Sequence, residues 1–428
     1  MMLLAVFGVM FLALLLSMPI AASIGFSCLA FIPWIPGGLD RVMFFVAQRM
    51  VVTADSFTLL ALPFFILAGT LMSHGGIARK LTDLAEAVAG DFPGGLGIAA
   101  IVACMFFGAV SGSGPATVAA IGTVMLPAML ERGYGVGFSG GLVACAGGIG
   151  VLIPPSVPMI VYGVNSGVSI TDLFIAGLFP GIIVGLFLMI PAVYISRKRG
   201  YAGKPRAGGT GWVMKKVWEA KSALLMPLII LGGIYTGVFT PTEAGIVAVA
   251  YAIILGFLSR GLSWRGLCTA MVEAAIITGS CIFLMGAASA FAKLLHMKDV
   301  PNLISTLIFS FTTNKYLILL MFNLVFLLGG MFIDTLSNIL IFSPIFLPLA
   351  LKIGVDPIHF GTFIVANLAL GMATPPMGVD LFVASNICKT PFEKVLRGSI
   401  PFMLWNLAAV LLITYVPMIS LWPLKFFR

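Results

Sequence analysis

The sequence predicts an all-α polytopic membrane protein built from two inverted-topology repeats, each carrying a re-entrant helical hairpin and a helix broken at a Pro-Pro pair. Three observations predict it: scarcity of charge, apolar segments interrupted at polar or proline-rich points, and an internal repeat. Of 428 residues only 24 are Lys or Arg and 15 are Asp or Glu, leaving 9% charged and 60% hydrophobic. An average soluble domain carries roughly 25% charged residues. A chain this apolar has too little polar surface to face water, and a mean hydropathy of +1.14 equally excludes disorder and a coiled coil. At about 1.5 Å per residue and about 20 residues per span, the chain has room for around a dozen crossings. Its surface is built for a lipid bilayer and not for nucleic acid.

Several function classes fall away on residue inventory. Cys28, Cys104, Cys145, Cys268, Cys281 and Cys388 are scattered without metal-type spacing, and His74, His296 and His359 form no ligand cluster. No G-x-x-x-x-G-K-[ST] motif supplies a nucleotide motor, and no nucleophile–base spacing suggests an enzyme. Met1 to Leu16 is apolar without a basic leader region and reads as a retained first helix.

Apolar runs bounded by turn signals predict helices near 2–34, 57–73, 136–164, 172–196, 222–238, 242–259, 268–294, 358–385 and 393–422. Stretches 95–130 and 315–350 differ, because each is broken centrally by small and polar residues: Ser111-Gly112-Ser113-Gly114-Pro115 and Asp334-Thr335-Leu336-Ser337-Asn338. Each arm is short for a full span, so hairpins are favoured over paired crossings. Segments 37–52 and 76–92 mix charged and apolar residues as helices lying in the membrane interface do. The extended basic stretch from Arg197 through Arg199, Lys204, Arg206, Lys215 and Lys216 to Lys221 is cytoplasmic by the positive-inside rule. Counting crossings outward from it puts Arg79, Lys80, Arg132, Arg260, Arg265, Lys389, Lys394 and Arg397 on the same side.

Residues 100–182 align with 321–403 without a gap. Gly108 meets Gly329, Pro127 meets Pro348, Gly150 meets Gly371, Pro154-Pro155 meets Pro375-Pro376, Asn165 meets Asn386 and Pro180 meets Pro401. The helix at 222–238 has no counterpart before the first repeat, so it inverts the second half relative to the first. Inverted repeats with paired interrupted helices mark secondary transporters, whose sites lie where the repeats meet.

The interruptions carry the chemistry. Prolines remove donors and clash with the preceding turn, so carbonyls near Gly150 to Ile153 and Gly371 to Thr374 are expected to lose helical partners and to suit a hard cation. The Ser111–Thr117 tip combines hydroxyls, flexible backbone and a helix start, an arrangement suited to an anion. The second tip adds Asp334, whose burial in a membrane calls for a cation partner. Glu243 reads as a first-turn residue favoured by the helix dipole, whereas Asp380, close after Pro376, is the stronger site candidate. Asn165 and Asn386 end the second halves of the broken helices, as caps or as a shared closing element.

Together Ser111-Gly-Ser-Gly-Pro115, Ile153-Pro-Pro-Ser156, Phe239-Thr-Pro-Thr-Glu-Ala-Gly245 and Thr374-Pro-Pro-Met-Gly378 through Val383-Ala-Ser-Asn386 resemble the large membrane subunit of tripartite ATP-independent periplasmic (TRAP) transporters, over essentially the whole chain. The resemblance implies a bacterial inner-membrane, sodium-driven importer of organic acids with an elevator motion. It also implies a small four-helix membrane subunit and a periplasmic substrate-binding protein as partners, with Na⁺ as coupling ion and no other cofactor. By the same resemblance, 1–75 and 222–297 are scaffold helices. Residues 76–170 and 298–390 each hold an interfacial arm, a hairpin and a broken helix of the moving transport domain; 171–221 is a closing helix with the basic loop, and 391–428 the second closing helix. The expected sodium ligands are Ser111, Gly112, Ser113, Gly150, Ile153 and Pro154 in one half and Asp334, Thr335, Ser337, Asn338, Gly371, Thr374 and Pro375 in the other. The expected substrate contacts are Ser113, Gly114, Ser156, Asn165, Asp380 and Asn386. Two features depart from the family pattern: Asp380 stands where Asn is common, which admits an extra proton or cation, and no Lys or Arg lies beside the tips, which weighs against a sialic acid.

Overall fold

The computed structural model describes residues 2–35, 37–89, 94–201 and 210–427, and every regular element among them is helical. In chain order these are α1 (Met2–Leu15), α2 (Ile20–Leu29), α3 (Gly38–Ala54), α4 (Ala61–His74), α5 (Ile77–Ala89), α6 (Gly95–Ser111), α7 (Gly114–Glu131), α8 (Val136–Gly147), α9 (Val157–Ser166) and α10 (Ile170–Arg199). They continue with α11 (Thr210–Tyr235), α12 (Pro241–Leu258), α13 (Trp264–Met297), α14 (Val300–Phe311), α15 (Lys315–Phe332), α16 (Thr335–Lys352), α17 (Pro357–Met372), α18 (Val379–Cys388), α19 (Phe392–Tyr415), α20 (Met418–Leu421) and α21 (Leu424–Phe427). Nine helices among the described residues are long and apolar enough to cross a membrane.

Local chemistry explains where the predicted helices begin and end. The single helix expected over 2–34 is two α-helices and a short 3₁₀ turn (Ile32–Trp34): Ser17 turns left-handed (φ 59°), and Met18, the residue before Pro19, is driven out of the helical region. The charged segment after residue 76 is helical as α5, and the tail of that expected segment (90–92) and the basic residues Lys204 and Arg206 lie outside the described residues. α12 opens with a complete capping box: the Thr240 hydroxyl accepts the Glu243 N–H at 3.3 Å and Glu243 accepts the Thr240 N–H at 2.8 Å. Glu243 is thereby explained as a cap. α10 is 30 residues long and carries Arg197, Lys198 and Arg199 in its last turn. At about 1.5 Å per residue it outruns the roughly 30 Å hydrocarbon layer, so its basic end reaches past the apolar region.

The order hairpin, broken helix, long closing helix occurs twice: α6–α7, α8–α9 and α10, then α15–α16, α17–α18 and α19. The two halves exchange partners across the core. α9 packs on α16 of the later hairpin, α18 packs on α7 of the earlier one, and α8 lies along α19. Glycines permit the last contact, since a β-carbon on Gly398 would collide with the Gly137 carbonyl oxygen. The Asn165 amide donates to Ser343 Oγ at 2.7 Å, tying α9 to α16.

Candidate functional site

The first hairpin turns at Gly112, whose φ of 62° ends α6, while extended Ser113 starts α7. A positive φ costs an L-residue energy that Gly escapes. Hydroxyls close the turn on itself: Ser111 Oγ and Thr117 Oγ1 are 2.8 Å apart, and Thr117 Oγ1 donates to the Ser113 carbonyl at 2.7 Å. No side chain caps the N-terminus of α7, so first-turn N–H groups there stay available to an anion. The Val157 N–H donates to the Gly112 carbonyl at 3.3 Å and fastens the tip to the first broken helix.

The second hairpin turns at Ile333-Asp334. Half-buried Asp334 caps α16, accepting the Ser337 N–H at 3.1 Å through Oδ2 and the Ser337 hydroxyl through Oδ1. Asn338 donates to the Ile333 and Asp334 carbonyls at 2.8 and 3.1 Å. Two oxygens remain: buried Thr335 Oγ1 and Asn338 Oδ1 have no hydrogen-bond partner. The Met377 N–H donates to the Met331 carbonyl at 3.2 Å, the counterpart of the Val157 contact.

Each helix break is pressed against its hairpin through glycine. A β-carbon on Gly108 would lie 2.7 Å from Gly150 Cα, and one on Gly371 would lie 2.5 Å from Gly330 Cα. The gapless alignment pairs Gly108 with Gly329, but Gly329 faces Phe342 and Asn338, so the structural equivalence slips by one residue. Both Pro154–Pro155 and Pro375–Pro376 bonds are cis. The carbonyls expected to be released are partly reused by tight turns. Within the expected set, Val151 accepts the Ser156 hydroxyl at 2.5 Å and Gly371 accepts the Thr374 N–H at 2.9 Å; just before the breaks, Ile149 accepts the Leu152 and Ile153 N–H groups and Leu370 accepts the Thr374 hydroxyl at 2.7 Å. Ser156 also caps α9 through the Met159 N–H at 3.3 Å. The first break, 151–156, is buried, whereas Pro376 and Met377 in the second are exposed.

Both tips open on one cavity of about 410 Å³. Ser111, Gly112, Ser113, Gly114 and Pro115 line it from one side, Asp334, Thr335 and Leu336 from another, and Thr70, Ser73 and Glu273 from α4 and α13. No Lys or Arg is among its lining residues. Glu273 accepts from His74 Nε2 at 2.9 Å, joining α13 to α4, and Thr70 Oγ1 is 3.3 Å from the Ala270 carbonyl across the same contact. Glu273 lies in an apolar run of the sequence, and with Thr70 it stands in the cavity wall because helices distant in sequence converge there. Of the residues expected at the site, Ser337, Asn338, Gly150, Ile153, Pro154, Gly371, Thr374 and Pro375 stand behind the tips. Ser156 and Asp380 are fully buried, Asn165 is engaged with Ser343, and Asn386 is exposed. None of these lines the cavity. Among the described residues no group of three or more His, Cys, Asp or Glu is placed to hold a metal ion.

The profile of the tripartite ATP-independent periplasmic transporter, DctM component, matches residues 7–419. The chain belongs to this TRAP transporter family. It is 39% identical over 380 residues to the C4-dicarboxylate TRAP transporter large permease protein DctM of Pseudomonas aeruginosa, covering 88% of both chains. It is 36% identical over 406 residues to the sialic acid TRAP transporter large permease protein SiaM of Vibrio cholerae, covering 94% of both. Identity is 46% over 416 residues to the isethionate TRAP transporter permease protein DctMQ of Oleidesulfovibrio alaskensis; that match covers 97% of this chain and spans 65% of the relative's length. The fold resembles the YdaH transporter of Alcanivorax borkumensis, with a TM-score of 0.66 at 14% identity over 92% of this chain and 90% of that one. This TRAP large permease is therefore a multi-pass inner-membrane protein whose role is transport and not catalysis.

Proposed function

We propose that this TRAP permease drives uptake of a small organic acid with the sodium gradient, receiving it from a periplasmic binding protein and working beside a small four-helix membrane subunit. The observation that carries the reading is the cavity between the tips, lined by Asp334 and Glu273 and by no cationic side chain. An anion entering it meets negative charge at low dielectric unless cations enter too. The uncapped start of α7, with the Gly114 N–H and the Ser113 hydroxyl, supplies donors to a carboxylate or sulfonate. Asp334, with Thr335 and Asn338 and supported by Ser337, supplies oxygens to Na⁺; the Ser111–Ser113 tip with Gly150, Ile153 and Pro154 forms the weaker cation half-site. The volume suits an anion of a few carbons, and relatives named for C4-dicarboxylate and isethionate make succinate and isethionate the first substrates to test.

Alternating access follows from where the cavity lies. One wall is α4 and α13, in the stretches 1–75 and 222–297; the other is the two hairpins, in 76–170 and 298–390. A β-carbon on Gly69 of α4 would lie 3.2 Å from Ser111 Cα, so at this point the two walls meet backbone to backbone. We read the first group as a fixed scaffold and the second as the body that rises and falls with its cargo. Proteoliposomes holding the permease, its small subunit and the loaded binding protein should take up labelled succinate or isethionate only with an inward sodium gradient. Uptake that follows a pH gradient and ignores sodium contradicts the coupling.

A further inference from the structure

Asp380 is the second residue of α18, is 0% exposed, and has no hydrogen-bond partner on either carboxyl oxygen. It faces the start of α7: a β-carbon on Gly114 would lie 3.2 Å from Asp380 Oδ2, 3.5 Å from Oδ1 and 2.6 Å from Met372 Cε. Gly114 and Met372 line the cavity and Asp380 does not. The carboxyl therefore sits one layer behind the cavity wall, in the contact between the first hairpin and the second broken helix.

Of the helices packed on α18, α8 carries one titratable group, the buried thiol of Cys145. α7 carries Glu131 only at its far end, α17 carries His359 in its first turn, and α19 carries Glu393, Lys394 and Arg397 in its first two turns; none is hydrogen-bonded to Asp380. A carboxylate buried this way without a partner is strongly disfavoured against its neutral form. The N-termini of α7 and α18 offset only a small part of that cost. A bound Na⁺ would need several oxygen ligands, and the groups beside the carboxyl at the start of α7 are Gly114 and the Met372 thioether methyl. A proton needs no further ligand.

We propose that Asp380 is a proton-binding site, closed while α7 and α18 are in contact and emptied into the cavity when the flexible Met372 side chain moves aside. On release the carboxyl O–H bond breaks, the electron pair stays on the carboxylate and the proton passes to cavity water. This site is independent of whether sodium drives uptake.

The test is infrared difference spectroscopy of the full chain with its small subunit in lipid membranes, exchanged between H₂O and D₂O. Wild type at neutral pH should show a protonated-carboxyl carbonyl band that shifts in D₂O, persists when NaCl is added at fixed pH, is absent in Asp380→Asn and moves in Asp380→Glu. Deuteration of the band should quicken in Met372→Ala. A wild-type spectrum without such a band, or with one that Asp380→Asn leaves intact in monodisperse protein, overturns the proposal. A band that NaCl abolishes assigns the site to a metal cation instead and also overturns it. Unchanged exchange in Met372→Ala rules out release past that side chain.

Discussion

The two hairpin tips share a backbone plan and differ in which oxygens are already in use. At the first, the Ser111 and Thr117 hydroxyls and the Ser113 carbonyl satisfy one another, and the N-terminus of α7 is left uncapped. At the second, Asp334 caps α16 with its own carboxylate, while Thr335 Oγ1 and Asn338 Oδ1 have no partner. A duplicated fold has thus been given opposite electrostatics at equivalent points: free N–H groups suited to an anion on one tip, a carboxylate and orphan oxygens suited to a cation on the other. The breaks behind them differ in the same way, the first sealed around buried Ser156 and the second open at Pro376 and Met377. One cavity receives both tips, and under the proposed coupling a cation and an anion would neutralise each other there.

Substitutions at equivalent positions should separate the tips. Asp334→Ala should have the largest effect, lowering sodium-driven uptake by about 100-fold or more, because losing a partly buried charged partner costs about 3 kcal/mol or above. Assembly with the small subunit, read by co-purification, should be unaffected. Gly398→Ala should act on stability and not on ions: its β-carbon meets the Gly137 carbonyl, and overpacking of this kind costs about 1–3 kcal/mol, visible as a lowered midpoint in thermal unfolding. Ser113→Ala should reduce uptake by about tenfold, the worth of about 1.5 kcal/mol at the low end for a hydrogen bond to a charged group, and raise the substrate concentration needed more than the sodium concentration. Smallest of all, Thr240→Ala should remove the α12 cap for about 1 kcal/mol of stability, with transport kinetics unchanged. Equal losses from Asp334→Ala and Ser113→Ala would erase the distinction between the tips.

Much of this fold is legible in the sequence because membrane insertion restricts the chain to helices, and because paired prolines and glycines are hard to disguise. Pro154-Pro155 and Pro375-Pro376 locate both breaks, and Ser111 to Gly114 and Asp334 to Asn338 locate both tips. What the sequence does not display is contact between distant segments. The Glu273–His74 bond and the Thr70 contact depend on α4 meeting α13, and no local pattern announces that meeting. The prolines predict free carbonyls at the breaks, yet Val151 is recaptured by the Ser156 hydroxyl and Gly371 by a tight turn to the Thr374 N–H, since a chain that loses one helical bond closes the nearest shorter one. Asp380 stands out on sequence as a membrane carboxyl, but only its burial against Gly114 and Met372 separates it from the cavity.

Sodium binding to the purified permease in its complex with the small subunit, followed by calorimetric titration of NaCl into wild type, Asp334→Ala and Ser113→Ala, tests the asymmetry of the tips most directly. Wild type and Ser113→Ala should bind sodium with similar affinity, and Asp334→Ala should lose most of the heat. Retention of wild-type sodium binding in Asp334→Ala, or its loss in Ser113→Ala, would contradict the assignment of the cation to the second tip.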